Sequence, residues 1–272
     1  WCRVAVCVLC DAPSQPAQLA RTQSDRAFLD GQTMVVNKPL TWTSFDVVNK
    51  LRYALRGFTQ KKKIKVGHAG TLDPLATGVL VVCCGRATKT IDQLQAQDKK
   101  YLATIRFGAH TPSLDAETEV DAWASNPERV RRLSEEDVAK ALQQWTGVIE
   151  QKPPMYSAKK VAGERAYKAA RKGRDLALRT VEVHVHSMTS LGIRHEDVEG
   201  HPVVDVDVHI SCGKGTYIRS LARDVGHTLG VGGTLTQLKR TASGPFRVEH
   251  AWALDDLVGH ITANTQYSRE NA

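Results

Sequence analysis

The sequence predicts an α+β fold with a largely antiparallel sheet. Some stretches of the 272-residue chain alternate apolar and polar residues, as half-buried strands do. Others repeat apolar residues every three or four positions, as helices do. The two kinds of stretch are mixed without the steady strand–helix–strand order of a parallel sheet. The chain shows no internal repeat, and its length suffices for one large domain or two small ones.

The first elements lie on either side of a glycine-rich loop. A short apolar run at 34–36 predicts a strand. Ser44 is placed to cap a helix over 45–56 that ends at Gly57. A continuous apolar run at 79–84 follows the loop and predicts a buried strand. The apolar stripe of the helix consists of Phe45, Val48, Leu51 and Leu55.

Four further elements are predicted after the strand at 79–84. Alternation at 101–107 and again at 204–210 indicates two half-buried strands. The run at 134–137 resembles a capping box and begins a helix that ends at Gly147. The last predicted helix ends at Gly230, and its apolar stripe consists of Ile218, Leu221, Ala222, Val225 and Leu229.

Positive charge is concentrated in two places. The net charge is +8 and the pI is near 9.2, which indicates an acidic partner such as nucleic acid. The basic segment, residues 151–179, holds nine cations and two carboxylates and so carries +7 of the total. Within it, residues 160–171 predict a polar helix that projects from the body. The second cluster consists of Lys61, Lys62, Lys63 and Lys65. Such concentration favours a surface that follows phosphates.

The cysteines and histidines predict no metal site or disulfide framework. Cys7 and Cys10 form an isolated pair at CxxC spacing, and His184 and His186 alternate along a predicted strand. An intracellular protein with free thiols is expected. No apolar stretch is long enough to span a bilayer. Residues 4–10 are weakly apolar and fit either the end of a targeting segment or a short strand.

The loop at 67–78 is the most informative part of the chain. Its three glycines let the backbone approach another group closely or adopt dihedrals that other residues avoid. Pro74 disfavours a helical conformation at Asp73. Asp73 is therefore presented on a stiff turn, either for chemistry or as a cap on a neighbouring amide. The loop reads Gly67-His68-Ala69-Gly70-Thr71-Leu72-Asp73-Pro74-Leu75-Ala76-Thr77-Gly78.

This loop resembles the signature of the TruB family of tRNA pseudouridine synthases. The match is long and ungapped, and the resemblance extends over residues 34 to about 257. It implies a pseudouridine synthase catalytic domain over 31–272, preceded by an N-terminal extension, 1–30, of unknown role. The basic segment corresponds to the family's thumb-like insertion, which clamps the T-arm of tRNA. Only about fifteen residues remain after 257, so no C-terminal PUA domain is expected.

The resemblance implies roles for four residues of an active site. Asp73 matches the family's catalytic aspartate and is the expected nucleophile, with attack on the sugar or on the base left open. The run at 214–219 resembles a second motif, in which the arginine pairs with the aspartate and the tyrosine lines the uracil pocket. Those roles fall to Arg219 and Tyr217. Tyr101 matches the tyrosine that stacks on the base and accepts a proton, although by itself it is an ordinary strand aromatic.

Further binding residues follow from the same resemblance. His68 matches a histidine that contacts the flipped-out nucleotide, and Leu238 matches an apolar pocket residue. Lys38 belongs to the family's first motif, where Thr41 stands in place of the glycine of many members. Without the resemblance, His68 also fits a loop histidine bonded to its own backbone, and Leu238 also fits an ordinary core leucine. The expected RNA contacts in the basic segment are Lys152, Lys159, Lys160 and Arg165.

The expected function is isomerisation of uridine to pseudouridine at the T-loop position 55 of tRNA. It implies no metal or cofactor, no membrane, no obligate protein partner and a monomer. The location is expected to be cytoplasmic if the source is bacterial, and organellar or nuclear locations remain open for a eukaryotic source. Two alternatives stay open: the same chemistry on mRNA or another structured RNA, and a non-catalytic tRNA chaperone or binding module.

Overall fold

The fold combines short helices with mostly antiparallel strands, in agreement with the predicted α+β class. It is given by a computed structural model, which describes residues 8–9, 25–157, 159–161, 164–174 and 176–270. The chain divides into two compact units, unit 1 with residues 1–97 and 239–272 and unit 2 with residues 98–238. Within the described ranges, no helix has both the length and the apolarity needed to cross a membrane.

The elements are numbered in chain order. The strands are β1 (Val8–Leu9), β2 (Gln32–Lys38), β3 (Val66–His68), β4 (Ala76–Cys84), β5 (Lys99–Phe107), β6 (Ala109–His110), β7 (Ala122–Trp123), β8 (Gly147–Gln151), β9 (Lys160–Val161), β10 (Glu164–Arg165), β11 (Val181–Val198), β12 (His201–Cys212), β13 (Gly233–Ser243), β14 (Phe246–Arg247) and β15 (Trp252–Ala253). The helices are α1 (Asp25–Gly31), α2 (Ser44–Thr59), α3 (Ile91–Gln95), α4 (Pro127–Arg131), α5 (Glu135–Gln144), α6 (Ala166–Ala170), α7 (Ile218–Leu229) and α8 (Leu254–Glu270).

Unit 1 is built around β2 and β4. These strands pair antiparallel along their whole length, and β3 pairs antiparallel with the carboxyl-terminal half of β4. Helices α2 and α8 pack together, and apolar side chains of both helices join those of β2 and β4 in one core. β1 pairs in parallel with β2, so the short-strand alternative holds for Val8 and Leu9, and the rest of 1–24 lies outside the described residues.

Helix α2 differs from its prediction at both ends. Thr43, not Ser44, is the N-cap, and it forms a reciprocal capping box with Asp46. The helix continues past Gly57 to Thr59, because burial of Phe58 outweighs the roughly 1 kcal/mol that a helical glycine costs. Phe45 does not belong to the core stripe, since its side chain is 60% exposed.

Unit 2 contains the antiparallel strand order β5-β12-β11-β8. The predicted strands at 101–107 and 204–210 lie within β5 and β12, and both predictions are confirmed. The capping box predicted at 134–137 begins α5, and Gly230 caps the end of α7 in the left-handed conformation, as predicted. Cys212 is buried in this core, as are Cys83 and Cys84 in that of unit 1.

The prediction of one helix over 160–171 is wrong. The chain there forms an antiparallel pair, β9 with β10, before the short helix α6. Val161 has a low helix propensity and lies in β9, whereas the alanine-rich stretch after β10 is helical. α6 also does not project as a wholly polar helix, since Ala166 and Ala169 are fully buried.

Candidate active site

Asp73 lies on a tight turn between β3 and β4. The pairing of these strands continues one step beyond β3, where the Ala69 amide donates to the Val81 carbonyl at 2.8 Å. The turn closes when the Ala76 amide donates to the carbonyl of Asp73 at 3.0 Å. Asp73 itself is half-buried. The strand pair thus fixes both ends of the six-residue loop that carries the carboxylate.

Lys38, the last residue of β2, binds backbone groups within unit 1. It is 0% exposed, and its ammonium donates to the carbonyls of Trp42 at 2.6 Å, Pro39 at 2.9 Å and Pro74 at 3.2 Å. Burial lowers the pKa of Lys38 to about 8, and the charge of Asp73 partly opposes this shift. The placement differs from the predicted RNA contact, because the ammonium is directed at the backbone next to Asp73.

Ser44 fixes the backbone on the other side of Asp73. Its hydroxyl accepts a hydrogen bond from the Leu72 amide at 2.8 Å and donates to the Leu72 carbonyl at 3.0 Å. The serine is buried in the first turn of α2. The sequence predicted a helix cap here, but the hydroxyl instead fixes the residue immediately before Asp73.

Arg240 is a third buried clamp on the loop. It lies on β13, is 1% exposed, and donates to the carbonyls of Val79 at 2.7 Å, Gly70 at 3.1 Å and Thr71 at 3.4 Å. Gly78 adopts φ +100°, and a Cβ there would lie 2.2 Å from the Arg240 carbonyl oxygen. A glycine is therefore required for β4 to approach this arginine.

His68 ends β3 beside the loop. Burial lowers its pKa, and the nearby Arg240 charge lowers it further, while a hydrogen bond with the Gly70 backbone acts in the opposite direction. Its buried Nδ1 has no hydrogen-bond partner among the residues that the structure describes. The imidazole is therefore neutral at pH 7 and offers a polar edge beside the Asp73 loop.

Arg219 is a buried cation in the first turn of α7. It is 4% exposed and donates to the carbonyls of Tyr156 at 2.8 Å and Ser113 at 2.9 Å. Its Nε lies 3.4 Å from a carboxylate oxygen of buried Asp115. A helix N-terminus disfavours a cation, and the carboxylate within unit 2 accounts for its stability. The expected pairing of Arg219 with Asp73, a residue of unit 1, stays a prediction.

The two expected active-site tyrosines both belong to unit 2. Tyr217 is half-buried at the start of α7, and the fully buried Gln151 side chain exchanges two hydrogen bonds with its backbone. Tyr101 is buried on β5, where it pairs with Ile210 of β12. Leu238 is half-buried on β13. Gln151 was not singled out from the sequence, although it fixes the backbone of Tyr217.

The basic segment is attached to unit 2 through its backbone. Lys152 is exposed, while its carbonyl accepts from Ser220 at 2.9 Å and Arg223 at 3.0 Å. Lys159 is half-buried, and its carbonyl accepts from the Ala166 amide at 2.8 Å. The side chains of Lys160 and Arg165 lie outside the described residues. Between β8 and Lys159, the chain forms bends at residues 155–157.

Two family models match this chain. The TruB family pseudouridylate synthase N-terminal domain matches residues 56–218. The tRNA pseudouridylate synthase B C-terminal domain matches residues 219–271. The chain belongs to the TruB family.

Curated members of the TruB family align along most of the chain. It is similar to a protein named tRNA pseudouridine synthase B from Parabacteroides distasonis, with 46% identity over 87% of this chain and 96% of the relative. The protein of the same name from Thermobifida fusca shares 48% identity over 84% of this chain and 75% of the relative.

Solved structures agree with this family's fold. A chain from an H/ACA RNP bound to a substrate RNA containing 2′-deoxyuridine is 26% identical, with a TM-score of 0.57 over 89% of this chain. The present chain covers only 60% of the length of that solved chain. A chain of a Cbf5-Nop10-Gar1 complex, 24% identical, has a TM-score of 0.61 over 94% of this chain and 67% of its own length, and it supports the fold alone.

Thr41, which the sequence resemblance places at a glycine position of the family, has an unusual backbone conformation. Its φ is +68°, in the left-handed region that a β-branched residue rarely adopts and glycine adopts readily. Its amide donates to the Pro74 carbonyl at 2.9 Å. The turn geometry is thus kept with threonine, at a cost in backbone strain. Among the described residues, no cluster of three or more His, Cys, Asp or Glu side chains is arranged to hold a metal ion.

Proposed function

We propose that this TruB-family chain isomerises uridine to pseudouridine in tRNA, at the T-loop uridine of position 55. The observation that carries the proposal is the fixed turn at Asp73. The backbone around this carboxylate is held by three buried side chains, those of Lys38, Ser44 and Arg240. Such preorganisation suits a nucleophile better than a binding surface. The names of the curated relatives support tRNA as the substrate.

The reaction is a rearrangement within one nucleotide. The C1′–N1 bond breaks, the uracil turns over, and C5 bonds to C1′. C5 then loses its proton and N1 gains one, so there is no net oxidation or reduction. A nucleophile, a proton acceptor and a dry pocket suffice. Asp73 is the proposed nucleophile, and Tyr101 is the proposed proton acceptor.

The remaining site residues are assigned to binding the extruded nucleotide. Extrusion of a base costs a few kcal/mol and needs side chains that hold it. His68, being neutral, is proposed to contact the flipped nucleotide. Tyr217 and Leu238 are proposed to line the uracil pocket, and Arg219 to stabilise the Asp73 carboxylate. Lys152, Lys159, Lys160 and Arg165 of the basic segment are proposed to hold the T-arm. The proposed active form is a monomer without an obligate protein partner.

Substitution of the carboxylate tests the catalytic part of this proposal. Asp73→Asn should form no detectable pseudouridine on an unmodified tRNA transcript, while its Kd for that tRNA stays within tenfold of the unsubstituted protein. Asp92→Asn is a matched control, because Asp92 is an exposed aspartate on α3 of the same unit. Asp92→Asn should retain full activity. Pseudouridine formed by Asp73→Asn would refute the nucleophile assignment.

The position of the target uridine is tested with the RNA. An isolated, unmodified T-arm hairpin should be a substrate. A full tRNA transcript with cytidine at position 55 should yield no pseudouridine. Turnover at another position of that transcript would overturn the T-loop assignment while leaving the chemistry intact.

A further inference from the structure

The outward face of α2 carries aromatic and cationic side chains together. Phe45 and Tyr53 are 60% and 82% exposed, although both are large hydrophobic residues. Residues 45, 52, 53 and 56 are spaced i, i+7, i+8 and i+11, so they lie on one side of the helix. The Arg52 guanidinium lies 5.9 Å from the centre of the Phe45 ring. We call these four residues, with the lysines that follow the helix, the α2 face: Phe45, Arg52, Tyr53, Arg56, Lys61, Lys62, Lys63 and Lys65.

Charge on the α2 face has a single sign. Residues 47–72 contain seven cations and no carboxylate, and the one carboxylate of α2, Asp46, is used in the capping box with Thr43 in the first turn. Lys50 is paired with Asp255 at 2.5 Å. Arg56 and the four lysines are exposed, and they form no ion pair within the part of the chain that the structure describes. An ordinary solvated helix face mixes both signs of charge, so the α2 face indicates an anionic partner.

The α2 face begins at the Asp73 loop and extends away from it. Its first turn contacts the loop through Ser44 and Leu72, and Arg52 donates to the Val66 carbonyl at 3.1 Å. Sixteen residues of helix rise about 24 Å, so the far end of α2 lies about that distance from its first turn, and the chain then returns through the lysines to β3 and the loop. A ligand on this face can therefore be continuous with one whose reacting nucleotide lies at Asp73.

We propose that the α2 face binds the RNA of the substrate outside the flipped-out nucleotide. The lysines and Arg56 neutralise phosphates, while Tyr53 and Phe45 stack on unpaired bases. The combination of aromatic rings with cations favours RNA over an acidic protein, since every base offers a ring face and every nucleotide a phosphate. This inference rests on the proposed function, and it assigns unit 1 an RNA-binding surface besides the basic segment of unit 2.

Charge removal tests the electrostatic part. A triple variant, Arg56→Gln with Lys61→Gln and Lys63→Gln, should raise the Kd for unmodified tRNA at least tenfold at 0.1 M salt. The slope of log K against log salt should become shallower by about 0.7 to 0.9 for each phosphate that the variant no longer neutralises. KM should rise in parallel with Kd.

A matched triple variant controls for net charge. Arg131→Gln, Arg132→Gln and Lys140→Gln remove three exposed cations from unit 2. We expect this control to change Kd less than twofold. If both triple variants weaken binding equally, the effect is one of net charge, and the proposal that the α2 face binds RNA is refuted. An unsubstituted protein that binds tRNA but forms no pseudouridine would refute the proposed function and leave this test interpretable.

Stacking is tested at constant charge. Tyr53→Ser should weaken tRNA binding about fivefold or more with an unchanged salt slope, and Tyr53→Phe should restore binding, since it keeps the ring. Because Tyr53 is exposed, neither substitution should alter the fold, which circular dichroism checks. Equal affinity of Tyr53→Ser and the unsubstituted protein would overturn the stacking role.

Discussion

The Asp73 loop and the basic segment use the same kind of side chain in opposite ways. Lys38 and Arg240 are buried, and each donates three hydrogen bonds to backbone carbonyls around the loop. In the basic segment, Lys152, Arg171 and Lys172 are exposed to solvent. Buried cations with several acceptors fix a backbone, whereas exposed cations remain available to phosphates. Their positions in the fold, not their chemistry, decide which role they take.

Removal of Arg240 should have the largest effect. Arg240→Met deprives three carbonyls around the loop of their donor, and a displacement of about 1 Å at a reacting group can lower a rate about 100-fold. We expect kcat to fall about 100-fold, with the Kd for tRNA within threefold of the unsubstituted protein. Single-turnover kinetics and filter binding measure the two quantities.

Two variants separate positioning from general loss of stability. Arg240→Lys keeps the charge and part of the hydrogen bonding, so it should lose about tenfold in kcat. Arg106→Met removes a half-buried arginine from unit 2, where it forms a two-point pair with Asp205. This control should lower the free energy of unfolding without lowering the kcat of the folded enzyme. A loss of kcat as large in Arg106→Met as in Arg240→Met would contradict the comparison.

Periodicity in the sequence predicted the elements that have one face in a core. β5, β12 and α7 were predicted because their buried residues repeat at the period of the element. The helix over 160–171 was wrong because that stretch has many cations and no apolar period, so composition alone suggested the element. The end of α2 was misplaced because Gly57 is a local signal, whereas the burial of Phe58 depends on the tertiary fold.

The candidate site was predicted where a contiguous motif carries it. Asp73 and His68 belong to one twelve-residue run, and no periodicity is needed to find them. Arg240 was missed as a clamp, because its acceptor at Gly70 lies 170 positions away in the chain. Ser44 was singled out as a helix cap, but its hydroxyl forms tertiary hydrogen bonds to Leu72. A serine at this position of the sequence fits either role.

The buried ammonium of Lys38 should make stability depend on pH. Its folded-state pKa is about 8, below the ordinary value of 10.5. Below pH 8 both folded and unfolded chains carry the proton. Between about pH 8 and 10.5 only the unfolded chain keeps it, so the free energy of unfolding rises with pH, by up to about 3 kcal/mol. Lys38→Met should lack this rise. Urea unfolding of both proteins between pH 7 and 10 measures it, and parallel curves would contradict the assignment.

Neutralisation of exposed cations in the basic segment should change binding rather than chemistry. Lys172→Gln should weaken tRNA binding a few-fold and flatten its salt dependence by less than one unit of slope. Arg171→Gln should also leave the Glu117 carboxylate, with which Arg171 pairs at 2.8 Å, without a cation, so it should weaken tRNA binding at least as much as Lys172→Gln. Kd values over a salt series check both. A fall in kcat in either variant would contradict the prediction that the basic segment, unlike the Asp73 loop, affects binding and not chemistry.

The smallest effect should come from relief of strain at Thr41. The left-handed conformation costs a non-glycine residue about 1 to 2 kcal/mol, and glycine loses about 0.5 to 1 kcal/mol of extra chain entropy on folding. Thr41→Gly should therefore raise the free energy of unfolding by at most about 1.5 kcal/mol and leave kcat unchanged. Thr262→Gly, at an exposed position of α8, should act in the opposite direction, since glycine has a lower helix propensity than threonine. Thermal unfolding of the two variants measures whether each substitution raises or lowers the free energy of unfolding. Destabilisation by Thr41→Gly would mean that the threonine, through its hydroxyl bond to Leu40 at 2.6 Å, stabilises the turn beside Pro74 more than its strained backbone costs.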